Sequence, residues 1–163
     1  MKKMLIAICL LVGIVLVQGC VSEAYKPSII NNREYAKPFD TVWGRLIQVI
    51  TEQNYMIGAI EKDSGILSTS FELHSQNLGP LSTIQNEIKR LAIVPSNPLA
   101  IWGDMTCQIN IVVSHETVDT TKVTVNTSIK AYDRNYSGSW HICYSRGIIE
   151  QNILDSIESK LSQ

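Results

Sequence analysis

The sequence predicts an α+β fold: a two-layer sandwich whose four-stranded antiparallel sheet is covered on one face by an N-terminal and a C-terminal helix. Four segments alternate apolar and polar side chains and fall into two hairpins, while two others carry apolar side chains at helical spacing. A sheet with one apolar face and two amphipathic helices bury their apolar surfaces against each other.

The first predicted helix begins at Asp40, whose side chain suits an N-cap, and ends at Asn54. Its apolar stripe consists of Phe39, Val42, Trp43, Leu46 and Ile50. The last predicted helix runs from Ser145 or Arg146 to Leu161, with Glu150 and Asp155 on its solvent side. Its stripe consists of Ile149, Ile153, Leu154, Ile157 and Leu161.

The first predicted hairpin joins residues 55–61 to residues 65–73 through a tight turn at residues 62–65. The second joins residues 107–113 to residues 122–131. Each hairpin has one apolar and one polar face, so the sheet is expected to leave a polar face exposed.

Residues 74–103 form a long irregular insertion between the hairpins. Residues 81–93 have the pattern of a short amphipathic helix capped by Ser82, and prolines follow at positions 95 and 98. An insertion of this length is typical of a functional or mobile segment rather than of the core.

The amino terminus has the pattern of a lipoprotein signal peptide. Residues 4–17 are apolar and follow two lysines, and the next residues, 18–20, are Gln-Gly-Cys. The run is shorter than the roughly 18–20 residues of a membrane span. Val17 to Cys20 resembles the lipobox, which predicts a signal peptide at 1–19, lipid on Cys20, a flexible tether over 20–37 and one domain over 38–163. A transmembrane anchor is the alternative.

Charge excludes one class of partner. Without residues 1–19 the chain keeps 12 basic and 15 acidic side chains, which gives no electrostatic footprint for nucleic acid. Several acyl chains on Cys20 would hold the membrane without a basic patch. Val21 after the cysteine resembles enterobacterial lipoproteins of the outer membrane, which implies a periplasm-facing domain.

Two cysteines remain in the predicted exported domain. Cys107 and Cys143 are expected to form a disulfide, which would close a 37-residue loop and add about 4 kcal/mol. Two buried thiols are the alternative.

No catalytic motif is found. His141 and Cys143 could offer two metal ligands, but His74 and His115 do not complete a site. A nucleophile elbow and a phosphate-binding glycine loop are also absent from the sequence. The sequence therefore predicts neither an enzyme nor a cofactor or metal site.

Two groups of segments resemble known bacterial lipoproteins. Residues 38–43 (PFDTVW), 54–57 (NYMI) and 63–67 (DSGIL) are similar to the opening of domains in the BamC (NlpB) group. Residues 143–150 (CYSRGIIE) resemble the Cys-x-Ser-x-Gly-x-x-Glu start of the last helix in small lipoproteins of similar build. The resemblance implies a helix-grip or TBP-like domain.

Two functions are compatible with this domain. The first is an envelope protein interaction or assembly-accessory module that docks an unidentified protein on its polar sheet face or insertion. The candidate partner-binding residues are Trp102, Trp140, Gln108, Asn110, Thr124, Asn126 and Ser128. For the two tryptophans, the alternative role is to shield the disulfide. The second function is a binder of a small apolar ligand or lipid in a pocket lined by Phe71, Ile111 and Val125.

Overall fold

The computed structural model of the protein describes residues 25–74 and 80–163. The predicted signal peptide and the predicted lipidation site Cys20 lie outside these residues. Within the described ranges, no helix has the length and apolar character needed to cross a membrane.

The described chain forms an α+β domain with one antiparallel sheet and three helices. In chain order its elements are β1 (Asn32–Tyr35), α1 (Phe39–Glu52), β2 (Met56–Glu61), β3 (Ile66–His74), α2 (Leu81–Leu91), β4 (Ala92–Ile93), β5 (Trp102–Thr117), β6 (Thr120–Asp133), β7 (Ser139–Ser145) and α3 (Ile148–Leu161). The predicted four-stranded sheet with only two terminal helices is therefore wrong, because the sheet has seven strands and a third helix lies mid-chain.

The two predicted hairpins form four adjacent strands of the sheet, with β2 at its edge. The strand order is β2-β3-β5-β6-β7-β4, and β1 pairs with β6 beside this path. Strand β5 pairs with the whole of β6, from Thr120 to Asp133. Along the other edge of β6, β1 pairs with residues 121–124 and β7 with residues 129–133. These two short strands therefore lie one after the other beside β6.

Strand β1 lies within residues 20–37, which were predicted to form a flexible tether. Arg33 forms salt bridges with Asp155 and Glu158 of α3. The Tyr35 side chain is buried, and its hydroxyl donates to the Leu154 carbonyl oxygen at 2.8 Å. The domain therefore begins before residue 38, and the prediction of a flexible segment is wrong for the strand.

Helices α1 and α3 share the apolar sheet face with the mid-chain helix α2, so the predicted cover of two terminal helices is wrong. Val42, Leu46 and Ile50 of α1 and Ile153 and Ile157 of α3 have no exposed surface. Their burial accounts for much of the core. The N-cap of α1 is Pro38 rather than the predicted Asp40, which lies in the first turn and pairs with Lys62 at 2.9 Å.

Helix α2 lies within residues 74–103, which were predicted to form an irregular insertion outside the core. The helical pattern is confirmed, although Pro80 rather than Ser82 occupies the N-cap. Ile84, Ile88 and Leu91 are buried in the same core as the other helices. This part of the insertion is consequently a structural element, because its apolar stripe packs under the sheet.

The turn between β2 and β3 follows the sequence prediction. Gly65 has φ +68°, and its N–H donates to the Lys62 carbonyl oxygen at 3.0 Å. A Cβ at this position would collide with the carbonyl oxygen of Val113. Glycine is therefore required both by the backbone conformation and by the close approach of β5.

Candidate functional site

The face of the sheet opposite the helices carries a continuous polar surface. We call this face the open face, and its centre the polar floor. The floor consists of Ser68, Ser70, Thr106, Gln108, Asn110, Asn126 and Ser128, which alternate with buried positions on β3, β5 and β6. A shallow hollow of about 270 Å³ lies over part of it. The floor residues share one face because successive side chains of a strand point to opposite faces of the sheet.

Six of the seven predicted partner-binding residues lie on this face, namely Ser128 of the floor, Trp140 of β7 and four further residues. Gln108, Asn110 and Asn126 are exposed in the floor, and Thr124 is half-buried beside it. Ser68 Oγ donates to Asn110 Oδ1 at 3.0 Å, so part of the floor is already ordered by its own hydrogen bonds. The structure therefore brings these six residues to one surface.

Exposed apolar side chains border the floor at β2. All six residues of β2 are exposed, including Met56, Ile57 and Ile60. On the open face, Ile66 and Val112 are 42% and 40% exposed. In the part of the chain that the structure describes, β2 pairs with β3 on one edge and with no strand on the other. An apolar edge strand of this kind offers unpaired backbone groups to another chain.

Strand β7 borders the opposite side of the floor. Unlike the central strands, it directs its large apolar side chains to the open face. Register with β6 places Trp140 opposite Tyr132 and Ile142 opposite Lys130, all on the open face. Trp140 is 47% exposed and Ile142 is 70% exposed, whereas Cys143 of the same strand points inward and is buried. The larger apolar side chains of β7 therefore face outward.

Trp102 is not a surface residue. Its side chain is only 3% exposed and its ring meets that of His141 edge-on, with centroids 5.5 Å apart. It lies on the helix-covered face, so Trp102 and Trp140, both candidate partner-binding residues, lie on opposite sides of the sheet. The assignment of Trp102 to a docking surface is wrong, while that of Trp140 remains a prediction.

The predicted disulfide is not formed, and both cysteines are buried free thiols. Register explains why: Cys107 lies opposite Ile129 on one edge of β6, and Cys143 lies opposite Ile129 on the other. Two strand spacings separate the cysteines by about 10 Å, beyond the roughly 7 Å that a disulfide can bridge between Cα atoms. Burial, aided by the Glu150 carboxylate, raises the pKa of the Cys107 thiol to about 12.

We expect the stability of this protein to be independent of reducing agent. The thermal unfolding midpoint should be the same with and without dithiothreitol, because no bond is available to reduce. Cys107→Ser should cost about 1–3 kcal/mol in both conditions, since it buries a hydroxyl among apolar side chains. A destabilisation that reducing agent abolishes would contradict the structure.

Glu150 is a buried carboxylate, which contradicts its predicted solvent-facing position. Its side chain has no exposed surface. Thr127 Oγ1 donates to one carboxylate oxygen at 2.6 Å, and Ser145 Oγ donates to the other at 2.7 Å. Glu150 therefore joins the first turn of α3 to β6 and β7, at the place along β6 where β7 ends and β1 begins.

Two other residues of the segment 145–150, Ser145 and Gly147, lie just before the start of α3. Gly147 has φ +84°, and its N–H donates to Ser145 Oγ at 3.0 Å. The Ser-x-Gly-x-x-Glu pattern thus has a structural role in the described chain. A hollow of about 180 Å³ lies beside it, lined in part by Lys26, Ile29 and Tyr144.

A serine, a histidine and an aspartate meet at the other end of β7. Ser137 Oγ lies 2.7 Å from His141 Nε2 and donates to Asp133 Oδ2 at 3.1 Å. In a catalytic triad the carboxylate orients the imidazole, which then accepts the serine proton. Here the carboxylate binds the serine, so the arrangement does not support an activated nucleophile.

Asp133 instead organises the loop before β7. It accepts backbone N–H groups of Ile101, Asn135, Tyr136 and Ser137 at 2.9–3.2 Å. Burial opposes its ionisation, but these four donors outweigh burial and hold the pKa of its carboxyl well below the ordinary value. Among the residues that the structure describes, no group of three or more His, Cys, Asp or Glu is arranged to hold a metal ion.

Comparisons with known proteins do not identify a family: no protein-family model matches the chain, and neither does any curated protein.

Proposed function

We propose that this protein is a non-catalytic lipoprotein of the bacterial envelope that docks a partner protein on its open face. The lipid on Cys20 would hold the domain at the outer membrane, facing the periplasm. The observation that carries the proposal is the open face of the sheet, which no helix or strand of the described residues covers. It has a polar floor and ends at an exposed apolar edge strand.

The chemistry of this surface suits a protein partner with an extended segment. Such a segment can pair with the free edge of β2 through backbone hydrogen bonds. Its alternate side chains can then contact Met56 on the open face and Ile60 on the opposite side of the strand. The serine, threonine and amide side chains of the floor can then bond to polar groups of the same partner. Interfaces that combine apolar contacts with polar hydrogen bonds in this way are common among non-obligate complexes.

The alternative function, a binder of an apolar ligand between helix and sheet, receives less support. Of the three residues expected to line its pocket, Ile111 and Val125 have no exposed surface, and Phe71 is half-buried and packs against the core. Helices α1, α2 and α3 fill the space above them with closely packed aliphatic side chains. The hollows at the open face and beside Glu150 are instead lined largely by polar residues.

Photo-crosslinking in living cells tests the docking surface. A photoreactive amino acid is placed at Gln108 or Ser128 in the floor, at Met56 on β2, or at Gln151 on the exposed side of α3. We expect the first three positions to yield an adduct with the same protein, identified by mass spectrometry, because they lie on one surface.

The position on α3 serves as the matched control, since it is equally exposed to solvent but lies on the helix side of the sheet. The same adduct from Gln151 would indicate nonspecific capture. Adducts only with lipid, or none from any of the three surface positions, would contradict partner docking on the open face.

A further inference from the structure

The described domain begins very close to the predicted anchor. Only residues 21–24 separate Cys20 from Tyr25, the first described residue. Five residue steps reach at most about 18 Å even when fully extended. A lipid on Cys20 would therefore hold the point where the chain enters the domain within this distance of the bilayer.

The entry point lies beside β7. Lys26, Pro27 and Ile29 line a hollow together with Cys143 and Tyr144 of that strand. A Cβ added to Gly147, just after β7, would lie 3.4 Å from the Ile29 side chain. The anchor therefore restrains the β7 side of the sheet to the vicinity of the membrane.

The exposed side chains of β7 have the composition of a membrane-interface surface. Trp140 and Ile142 face outward, and the Trp140 ring lies 5.4 Å from that of Tyr132. Lys130 of β6 lies directly beside Ile142. The acidic side chain in the same cross-strand row, Glu72, is on β3, two strands beyond Lys130. Aromatic, aliphatic and lysine side chains together favour the boundary between headgroups and acyl chains.

We infer that the outward face of β7, formed by Trp140, Ile142 and the neighbouring Tyr132 and Lys130, rests on the bilayer surface that holds the anchor. This inference rests on the lipidation of Cys20 in the proposed function and deepens it by assigning the domain an orientation. The apolar side chains insert at the headgroup boundary, and Lys130 meets anionic headgroups.

The strand order is consistent with this orientation. Strand β2 lies four strand spacings from β7, about 19 Å across the sheet. Contact through β7 therefore leaves the free edge of β2 on the side away from the membrane. The proposed partner then approaches β2 without competing with the bilayer.

The fluorescence of Trp140 provides a direct test. Trp43 and Trp102 are 6% and 3% exposed, so Trp140 is the tryptophan accessible to lipid. The full-length lipidated protein is reconstituted into vesicles of phosphatidylethanolamine and phosphatidylglycerol, with or without brominated acyl chains. The emission of a Trp140→Phe variant is subtracted from that of the wild type, which leaves the emission of Trp140. Vesicle sedimentation measures separately whether the protein is anchored.

We expect brominated lipid to remove most of the Trp140 emission, because bromine quenches only on contact. Ile142→Asp should abolish the quenching while the protein still sediments with the vesicles. Ile57→Asp, on the distant strand β2, is the matched control and should leave quenching unchanged.

Sedimentation with equal Trp140 emission in both vesicle types would overturn the membrane contact and leave partner docking standing, since that is read by crosslinking. Failure to sediment, with the same behaviour in a Cys20→Ala variant, would overturn the lipid anchor and this inference together.

Discussion

Replacing Glu150 by alanine should lower the free energy of unfolding by about 3 kcal/mol. The substitution removes the shared acceptor of the Thr127 and Ser145 hydroxyls and leaves both donors in a buried site. It also removes the link that fixes the start of α3 to two strands. Chemical denaturation followed by circular dichroism measures the change.

Asp155→Ala is the matched control on the same helix. Its carboxylate is 64% exposed and pairs with Arg33 at the surface, so its loss should cost less than about 1 kcal/mol. Glu150→Gln should fall between the two, because the amide keeps one acceptor oxygen. Equal effects of the alanine substitutions at the two positions would show that the buried carboxylate has no special structural role.

Asp133→Ala should destabilise the protein by about 2–4 kcal/mol, because the loop before β7 loses the acceptor of four backbone N–H groups. The wild-type contribution depends on pH. Since the folded-state pKa of Asp133 lies below the unfolded value of about 3.9, its stabilisation is complete above about pH 5. It is lost as the pH falls through 4 toward the folded-state pKa.

Denaturation of the wild type and of Asp133→Asn across this pH range tests the linkage. The difference in stability between the two proteins should be largest at neutral pH and should shrink as the solution is acidified. Asp63→Asn, in the exposed turn after β2, should show no comparable change. A wild-type advantage that is constant with pH would mean that ionisation of Asp133 does not stabilise the loop.

Regular alternation and helical spacing predicted most of the central fold. Strands β3, β5 and β6 keep apolar residues on the inner face, and α1 and α3 have long apolar stripes, so local sequence and tertiary packing agree. The same alternation placed Gln108, Asn110 and Asn126 on the open face. The polar floor could therefore be predicted from residue parity alone.

The short peripheral strands could not be predicted in this way. Strand β1 has one large apolar side chain, Tyr35, and β4 has two residues, so neither has a periodic pattern. Strand β7 has a pattern, but Trp140 and Ile142 occupy the outer face, while His141 and Cys143 occupy the inner one. Its pairing is decided by β6, a tertiary contact that the local sequence does not specify.

The inward position of Glu150 is indicated by its spacing from Leu154. Leu154, one helical turn later, widens the apolar stripe of α3 and lies on the same side of the helix. A carboxylate four residues before a buried leucine is expected to approach the sheet, where Thr127 and Ser145 supply donors. The disulfide, by contrast, required the strand order, because only that order places β6 between the two cysteines.

The pairing of β1 with β6 has a consequence for the export that the proposed function requires. A chain that crosses a membrane from its amino terminus delivers β1 first, and its partner β6 follows only after residues 36–119. Under the proposed lipidation of Cys20, β1 would therefore stay unpaired while most of the domain emerges. Signal-peptide removal and lipid attachment would then precede the docking of β1, which completes the sheet.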